Sequence, residues 1–237
     1  MMKNIVLFTP TSNEYKGIRK HLDNARFKNF QFRVVESGMG KINAAFAVAK
    51  EAAIMAEQGQ VPDFIIGAGT SGSLSLNLVS GDVIISSSAI IGDWRMEDGQ
   101  TRLYARFPEI NYQAAGPALA DGLAINCPDP LVENLVARLA EQGLKSGRML
   151  TSDTFVTGAS HKLSLGRDFS CLACDMESGA FAYAAQECLG GIRWFNLRVV
   201  ADTLDDALAD YINMEENMVD ILGSKTVLAL TILDELM

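Results

Sequence analysis

The sequence predicts an α/β protein of one domain, in which a mostly parallel β-sheet is covered by helices on both faces. Three observations carry this prediction. Short apolar runs typical of buried strands alternate with longer segments of helical periodicity. A length of 237 residues is ordinary for one α/β domain. No repeat, low-complexity tract or Pro/Ser-rich linker divides the chain, so we treat residues 1–237 as one domain. Ligands of such sheets bind beyond the carboxyl ends of the strands.

Strands and helices alternate through the first part of the chain. The apolar run over 4–8, which ends at Thr9-Pro10, predicts a buried first strand. The pattern then predicts a helix over 13–22, a strand over 30–35 and an Ala-rich helix over 41–58 that Gly59 ends. Next come a strand over 63–68, a Gly/Ser/Thr loop from Gly69 and an apolar run over 82–91. Residues 93–115 are polar and irregular.

The second part of the chain continues the same alternation. Asp129-Pro130 predicts the N-cap and first turn of a helix that Gly143 ends. Residues 148–151 lead into a loop, and 171–176, 177–188 and 192–200 are predicted as strand, helix and strand. The chain closes with a helix over 211–237. Its apolar stripe consists of Met214, Met218, Ile221, Leu222, Leu228 and Ile232.

The charge balance argues against a polyanionic partner. Lys and Arg number 20 and Asp and Glu 29, which gives a net charge of −9. An acidic chain without a basic run is a poor ligand for nucleic acid and is repelled by anionic lipid. No apolar run approaches the roughly 20 residues of a membrane span. We therefore expect no nucleic acid and no membrane partner.

The cysteines allow two interpretations. Cys171 and Cys174 form a C-x-x-C pair, which could be a redox or metal site or two small apolar residues in a buried strand. Zinc needs about four ligands, and the two histidines, His21 and His161, lie far from the pair in sequence. We favour the buried strand and expect neither metal nor cofactor. Four unevenly spaced cysteines are not a disulfide framework, so a cytoplasmic location is the default expectation.

Two glycine-rich segments resemble phosphate-binding motifs. The segment from Gly67 to Gly72 fits G-x-G-x-x-G, but a dinucleotide site needs a helix directly afterwards, and a strand follows here. A loop whose backbone approaches a ligand closely is the better interpretation. The segment 37–41 is half of a P-loop and has Ile42 where a hydroxyl residue is required. It predicts a tight turn that begins a helix.

Three carboxylates stand at three strand exits. Glu14 follows the first strand, Glu177 begins a helix directly after a strand, and Asp202 follows the last strand. Each alone is more often a helix cap or a solvated acid. Together at one sheet edge they predict acid–base chemistry on a polar substrate. No partner for Asp202 is visible in the sequence, so we expect a partly buried acid without a salt bridge.

The order of the motifs resembles that of the nucleoside phosphorylase/nucleosidase superfamily, and most of all its methylthioadenosine/S-adenosylhomocysteine nucleosidases. Residues 37–45 read S-G-M-G-K-I-N-A-A, and G-T-S-G at 69–72 precedes S-G-D-V-I at 80–84. S-D-T-F-V at 152–156, C-D-M-E at 174–177 and R-V-V-A-D at 198–202 follow in the family's order. Ser152 stands where the family has glycine, and Ala201 where it has serine.

This resemblance implies a nucleoside phosphorylase-like fold and a role for each matched residue. Asp202 would be the general acid at the purine N7, and Glu14 would position or deprotonate the attacking water. Glu177 would bind the ribose hydroxyls. The remaining implied contacts are Met176 with the sugar, Phe155 stacked on the base, the Val156 backbone at its edge, Thr70 near the ribose and water, and Met39 in an apolar pocket for the 5′ substituent.

The implied activity is hydrolysis of the N-glycosidic bond of an adenine nucleoside with a 5′-thio substituent, in a homodimer with the active site near the interface. The alternatives are a nucleosidase of the futalosine or adenosylhopane type, a purine nucleoside phosphorylase, and a non-catalytic nucleoside-binding module. Gly67 stands where hexameric phosphorylases carry a phosphate-binding arginine, which favours water as the nucleophile. Binding alone needs no acid and base, which disfavours the module.

Overall fold

The α/β architecture predicted from the sequence is confirmed. A computed structural model describes residues 2–97, 102–104, 113–114, 121–204 and 216–237. The helices are α1 (Ser12–Leu22), α2 (Lys41–Glu57), α3 (Pro130–Glu141), α4 (Ala159–Phe169), α5 (Ser178–Tyr183) and α6 (Glu216–Leu236). The longer strands are β1 (Lys3–Thr9), β2 (Phe30–Glu36), β3 (Phe64–Ser73), β4 (Val83–Ser86), β5 (Ser88–Ile91), β11 (Arg148–Thr151), β12 (Cys171–Asp175) and β13 (Arg193–Asp202).

Short strands complete the described elements. They are β6 (Arg95–Glu97), β7 (Arg102–Tyr104), β8 (Gln113–Ala114), β9 (Ile125–Asn126) and β10 (Lys145–Ser146), and a π-helical turn over Ala184–Cys188 continues α5. Strands β6, β7 and β8 form a small antiparallel sheet of their own.

One mixed sheet joins the other ten described strands and carries the core. Its order is β10-β4-β13-β3-β12-β11-β5-β9, and β1 pairs in parallel with both β2 and β3. Strand β3 is central, because it also pairs in parallel with β13 and antiparallel with the end of β12. The carboxyl ends of β1, β3 and β13 therefore reach the same edge of the sheet.

Several sequence-based boundaries were wrong. The predicted loop from Gly69 is instead the second half of β3, because residues 69–72 pair with β13 and all of them except Thr70 are buried. Residues 148–151 are strand β11 rather than the start of a loop. The run over 82–91 is two strands that part at Ser87, and helix α4 was not predicted. Of the closing helix, residues 216–236 are described, while Met214 lies outside the described residues.

Local capping explains where the helices near the site begin. The Thr11 side chain accepts the Glu14 N–H, and the Glu14 carboxylate accepts the Thr11 N–H, which is a capping box for α1. Asp129 caps α3 by accepting the N–H groups of Leu131 and Val132, as predicted. Among the described helices, none combines the length and apolar composition that a membrane crossing needs.

Candidate active site

A cleft that is open to solvent lies where β1, β3, β12 and β13 end. All eight residues that the sequence singled out for the site line it: Glu14, Met39, Thr70, Phe155, Val156, Met176, Glu177 and Asp202. The other lining residues are Pro10, Thr11, Ser71, Gly72, Thr154, Cys174 and Asp175. The structure thus brings together residues that are up to 188 positions apart in the chain, from Glu14 to Asp202.

Glu14 is a helix cap and a cleft residue at once. Its Oε2 accepts hydrogen bonds from the Thr11 N–H (2.9 Å) and hydroxyl (2.8 Å), and its Oε1 accepts the Thr70 N–H (2.8 Å). The side chain is buried, and these three donors fix it in one orientation. Because Oε1 accepts only one bond in the described structure, it keeps a lone pair toward Gly69.

A buried arginine organises the opposite wall. Arg198 Nε lies 2.9 Å from Asp175 Oδ2, and its Nη1 lies 3.3 Å from Glu177 Oε2. Asp175 Oδ1 also accepts the Thr151 hydroxyl (2.7 Å), so this carboxylate anchors Arg198 rather than facing a ligand alone. Glu177 Oε1 accepts the Gly40 N–H at 2.8 Å, which ties the turn before α2 to this wall.

The electrostatics of Glu177 differ from those of an ordinary glutamate. Burial raises the pKa of its carboxyl group to about 7, while Arg198 opposes the rise and Asp175 adds to it. A carboxyl group with a pKa near 7 can gain or lose a proton near neutral pH, as groups that bind or transfer protons must. Arg198 Nη2 is buried and has no hydrogen-bond acceptor among the described residues.

Asp202 has a partner that the sequence did not reveal. Lys162 of α4 is fully buried, and its Nζ lies 2.5 Å from Asp202 Oδ2 and 2.6 Å from the Thr203 carbonyl oxygen. The expectation that Asp202 is an acid without a salt bridge was therefore wrong. Its burial is also nearly complete, at 4% exposure. A lone lysine in an unpredicted helix gave no signal that it would turn inward.

The three glycines of the G-x-G-x-x-G segment make room for buried side chains. A Cβ at Gly72 would lie 2.6 Å from Asp202 Oδ1, and a Cβ at Gly69 would lie 2.5 Å from Arg198 Nη1 and 3.0 Å from Glu14 Oε1. At Gly67 a Cβ would collide with the Asn196 side chain. The motif therefore admits side chains from β13 and α1 to the cleft, rather than binding a dinucleotide.

The loop after β11 forms the remaining wall. Phe155 is partly exposed and Val156 is buried. Lys41 joins this loop to α2, because its Nζ pairs with Asp93 and lies 3.0 Å from Asp153 Oδ2. The Asp153 N–H also donates to Asp93 Oδ2 at 2.9 Å. These contacts fix the position from which Phe155 reaches the cleft.

The described cysteines and histidines form no metal centre. Cys171 and Cys174 lie in β12 and are buried, and burial raises the pKa of both thiols, that of Cys174 to about 12. A thiol must lose its proton to bind metal or react, so these surroundings do not suit either role. Within the described ranges no group of three or more His, Cys, Asp or Glu side chains could hold a metal ion.

The charge of the cleft is one-sided. In the part of the chain that the structure describes, its lining contains four carboxylates, Glu14, Asp175, Glu177 and Asp202, and includes no lysine or arginine. The two buried cations beside it, Arg198 and Lys162, are already bound to carboxylates. Such a lining suits a ligand with hydroxyl and N–H donors and repels an anion.

Buried acids at the strand ends of an α/β sheet define an enzyme class that performs acid–base chemistry on a small polar ligand. The chain belongs to the Phosphorylase superfamily, whose family model matches residues 5–232. A relative from Shewanella piezotolerans, a 5′-methylthioadenosine/S-adenosylhomocysteine nucleosidase, is 27% identical over 182 residues, which are 75% of this chain and 71% of the relative.

Solved structures share the fold over nearly the whole chain. The 5′-methylthioadenosine/S-adenosylhomocysteine nucleosidase of Helicobacter pylori has a TM-score of 0.73 at 18% identity, covering 96% of this chain and 98% of its own. The futalosine hydrolase of the same organism has a TM-score of 0.74 at 19% identity, with the same coverage. At such identities the two neighbours establish the fold and do not separate the two activities.

Proposed function

We propose that this protein is a purine nucleosidase that hydrolyses the N-glycosidic bond of an adenine nucleoside with a 5′-thio substituent. The observation that carries the proposal is the set of three buried carboxylates, Glu14, Glu177 and Asp202, around one cleft whose described lining holds no cation. The nucleosidase from Shewanella piezotolerans supports the substrate class.

The two reacting ends of the substrate would meet different acids. Cleavage leaves positive charge on the sugar and sends an electron pair into the purine. Asp202 would give a proton to N7 of the departing base, while Phe155 stacks on the base and the Val156 backbone contacts its edge. General-acid help of this kind contributes about 10²–10⁴ in rate. The Glu14 and Glu177 carboxylates would stabilise the cationic sugar.

Water would attack from the side of Glu14. Glu14 Oε1 and Arg198 Nη1 lie on the side of β3 that Gly69 leaves open, where a Cβ would come within 3.0 Å and 2.5 Å of them. Water held there can give its proton to Glu14 as its oxygen bonds to C1′. Thr70 would lie beside the ribose and this water. Glu177 would accept the ribose hydroxyls, Met176 would contact the sugar, and Met39 would face the 5′ substituent.

The charge of the cleft favours water over phosphate as the nucleophile. A phosphate dianion needs cationic donors, whereas the described lining carries four carboxylates. An arginine at position 67 would have to displace the side chains of Asn196 and Phe181. A phosphorylase is therefore the weaker alternative.

The homodimer is part of this proposal. The large apolar side chains of Met39, Ile42 and Phe46 are 53%, 82% and 67% exposed beside the cleft. Ile42 and Phe46 are one helical turn apart and share a face of α2. A second copy that covers this face would bury it and adjoin the substrate pocket.

The decisive experiment incubates the protein with a panel of nucleosides, with and without phosphate, and separates the products by chromatography. The panel contains methylthioadenosine, S-adenosylhomocysteine, adenosine, inosine and futalosine, and Glu14→Gln, purified in parallel, controls for host enzymes. We expect adenine and the free sugar from the 5′-thio substrates at a rate that phosphate does not change. Faster cleavage of futalosine, a sugar 1-phosphate product, or binding without cleavage would each refute the proposal.

A further inference from the structure

The proposed mechanism gives no role to Lys162, a buried titratable group beside the cleft. Lys162 is fully buried, and its Nζ contacts Asp202 Oδ2 and the Thr203 carbonyl oxygen. It does not line the cleft, so it can reach a ligand only through Asp202. Ala201, which the resemblance places at a serine position, offers Asp202 no hydroxyl.

We propose, building on the nucleosidase function, that Lys162 is a positioning residue that orients Asp202 and supplies the proton that Asp202 passes to the departing base. Packing alone does not account for a lysine here. Taking an ammonium and a carboxylate out of water costs several kcal/mol per ion, and apolar residues of similar size often stabilise a protein as well or better. The pair lies at the cleft wall, where that cost serves the reaction.

The pair provides an acid that is charged at rest and still holds one transferable proton. A charge-assisted hydrogen bond of 2.5 Å joins the Lys162 ammonium to Asp202 Oδ2 and stabilises the carboxylate form of Asp202. The ammonium holds the proton that this carboxylate lacks, and the hydrogen bond is the path along which that proton can pass to Asp202.

The proton balance of the step is complete. The C1′–N9 electron pair moves into the purine, a proton passes from Lys162 Nζ to Asp202 Oδ2, and the new carboxyl O–H turns about its C–O bond and delivers that proton to N7. The water oxygen bonds to C1′ and its proton goes to Glu14. Lys162 is then a neutral amine and Glu14 a neutral acid, and exchange with solvent after product release restores both.

The titratable groups around the Lys162–Asp202 pair do not obscure a measurement of kcat against pH. From β12, Cys174 faces the pair, and burial together with Asp202 raises its pKa to about 12, so it stays a thiol. Across the cleft, Glu14, Asp175, Glu177 and Arg198 are held by their own partners. Glu177 titrates near pH 7 and bears on ribose binding. The readout is therefore kcat at saturating substrate. Asp205 and Asp206, next along the chain, lie outside the described residues.

The test compares the pH dependence of kcat for the wild-type chain, Lys162→Met and Lys162→Gln, between pH 6 and pH 9. The glutamine amide can still donate a hydrogen bond to Asp202 but supplies no proton. We expect both variants to lose about 10²-fold or more in kcat at pH 8, with KM changed less than about threefold. The ratio of wild-type to variant kcat should grow with pH, because a carboxyl group loses its proton at lower pH than an ammonium. Lys145→Met, an exposed lysine on β10, is the matched control and should behave as wild type.

Two outcomes would overturn the inference while the nucleosidase function stands. A ratio that is the same at every pH, or near-wild-type turnover by Lys162→Gln, would reduce Lys162 to a structural role. If neither variant folds, the wild-type profile decides by itself, because kcat that declines already above about pH 6 would indicate a lone carboxyl acid. Failure of the wild-type chain to cleave any nucleoside would instead refute the function.

Discussion

The three carboxylates that we propose act in catalysis and binding have different partners in the structure. Glu14 accepts only neutral donors from Thr11 and Thr70, Glu177 pairs with Arg198, and Asp202 pairs with the ammonium of Lys162. Different environments push identical functional groups toward different proton affinities, which is how one site obtains both an acid and a base. The different roles that we propose for the three carboxylates follow from these partners rather than from residue type.

Replacing Asp202 by asparagine should affect both rate and stability. The amide in Asp202→Asn cannot donate a carboxyl proton, so kcat should fall by about 10²-fold or more while binding of a substrate analogue changes much less. The buried ammonium of Lys162 would lose its counter-charge, so the free energy of unfolding should fall by roughly 3 kcal/mol. Urea unfolding and steady-state kinetics measure the two effects. Asp23→Asn, at an exposed site, is the control and should change neither kcat nor the free energy of unfolding. An equal loss of turnover in both variants would refute the role of Asp202.

Ribose binding should depend on pH through Glu177. Its pKa is raised to about 7 by burial, so the carboxylate is present above that pH and is protonated below it. A neutral carboxyl group is a weaker acceptor for ribose hydroxyls. KM should therefore rise as the pH falls from 8 to 5.5, and Glu177→Gln should show a raised KM that no longer varies. A wild-type KM that is constant across this range would contradict the assignment.

Strand β3 is the element on which the site depends. This strand carries glycine at positions 67, 69 and 72, and each of these faces a side chain of β13. A strand normally avoids glycine, unless another group must approach the backbone closely. Here the approaching groups include Arg198 and Glu14 at Gly69 and Asp202 at Gly72.

Substitution of Gly72 by alanine should test this arrangement. The new methyl group would lie 2.6 Å from Asp202 Oδ1 and 2.8 Å from Oδ2, so the Asp202 carboxylate would have to move. We expect at least a tenfold loss in kcat/KM and a lower Tm. Gly122→Ala, where a Cβ meets nothing within 4 Å, should leave both unchanged. Full activity of Gly72→Ala would show that the position of Asp202 is not critical.

The sequence predicted the structure correctly where residue chemistry and periodicity agreed. It predicted the wrong structure where the composition of a segment was typical of another element. The motifs led to eight residues that prove to share one cleft. The end of β3 looked like a loop because its Gly, Ser and Thr residues resemble turn residues, and pairing with β13 overrode that local tendency. Helix α4 was missed because polar residues and Gly166 interrupt its apolar pattern, and Lys162 was missed with it.

At the scale of the whole molecule, the exposed face of α2 is the feature that the isolated chain leaves open. Ile42 and Phe46 are more exposed than side chains of their size usually are, and they adjoin Met39 at the cleft. A surface of this kind on an otherwise acidic molecule favours contact with an equivalent surface, because apolar burial does not depend on the sign of the charge.

Introducing a charge on this face should separate the copies. We expect the wild-type chain to have the mass of a dimer in size-exclusion chromatography with light scattering, and Phe46→Glu to shift it to the monomer. A glutamate buried in the proposed interface would lose its contact with water and gain no counter-charge. Leu76→Glu, equally apolar and exposed elsewhere, is the control and should remain dimeric. A monomeric wild-type chain would contradict the proposal.

The packing around Gly67 bears on how a protein of this family could change its co-substrate in evolution. The space that an arginine would need is filled by Asn196 and Phe181, so the arginine, a smaller residue at 196 and a smaller residue at 181 would all have to appear together. Each step alone either creates a cavity in a core that includes the fully buried Phe181 or forces two side chains into one volume. Two buried neighbours that do not line the cleft, Asn196 and Phe181, thus oppose the replacement of Gly67 by arginine.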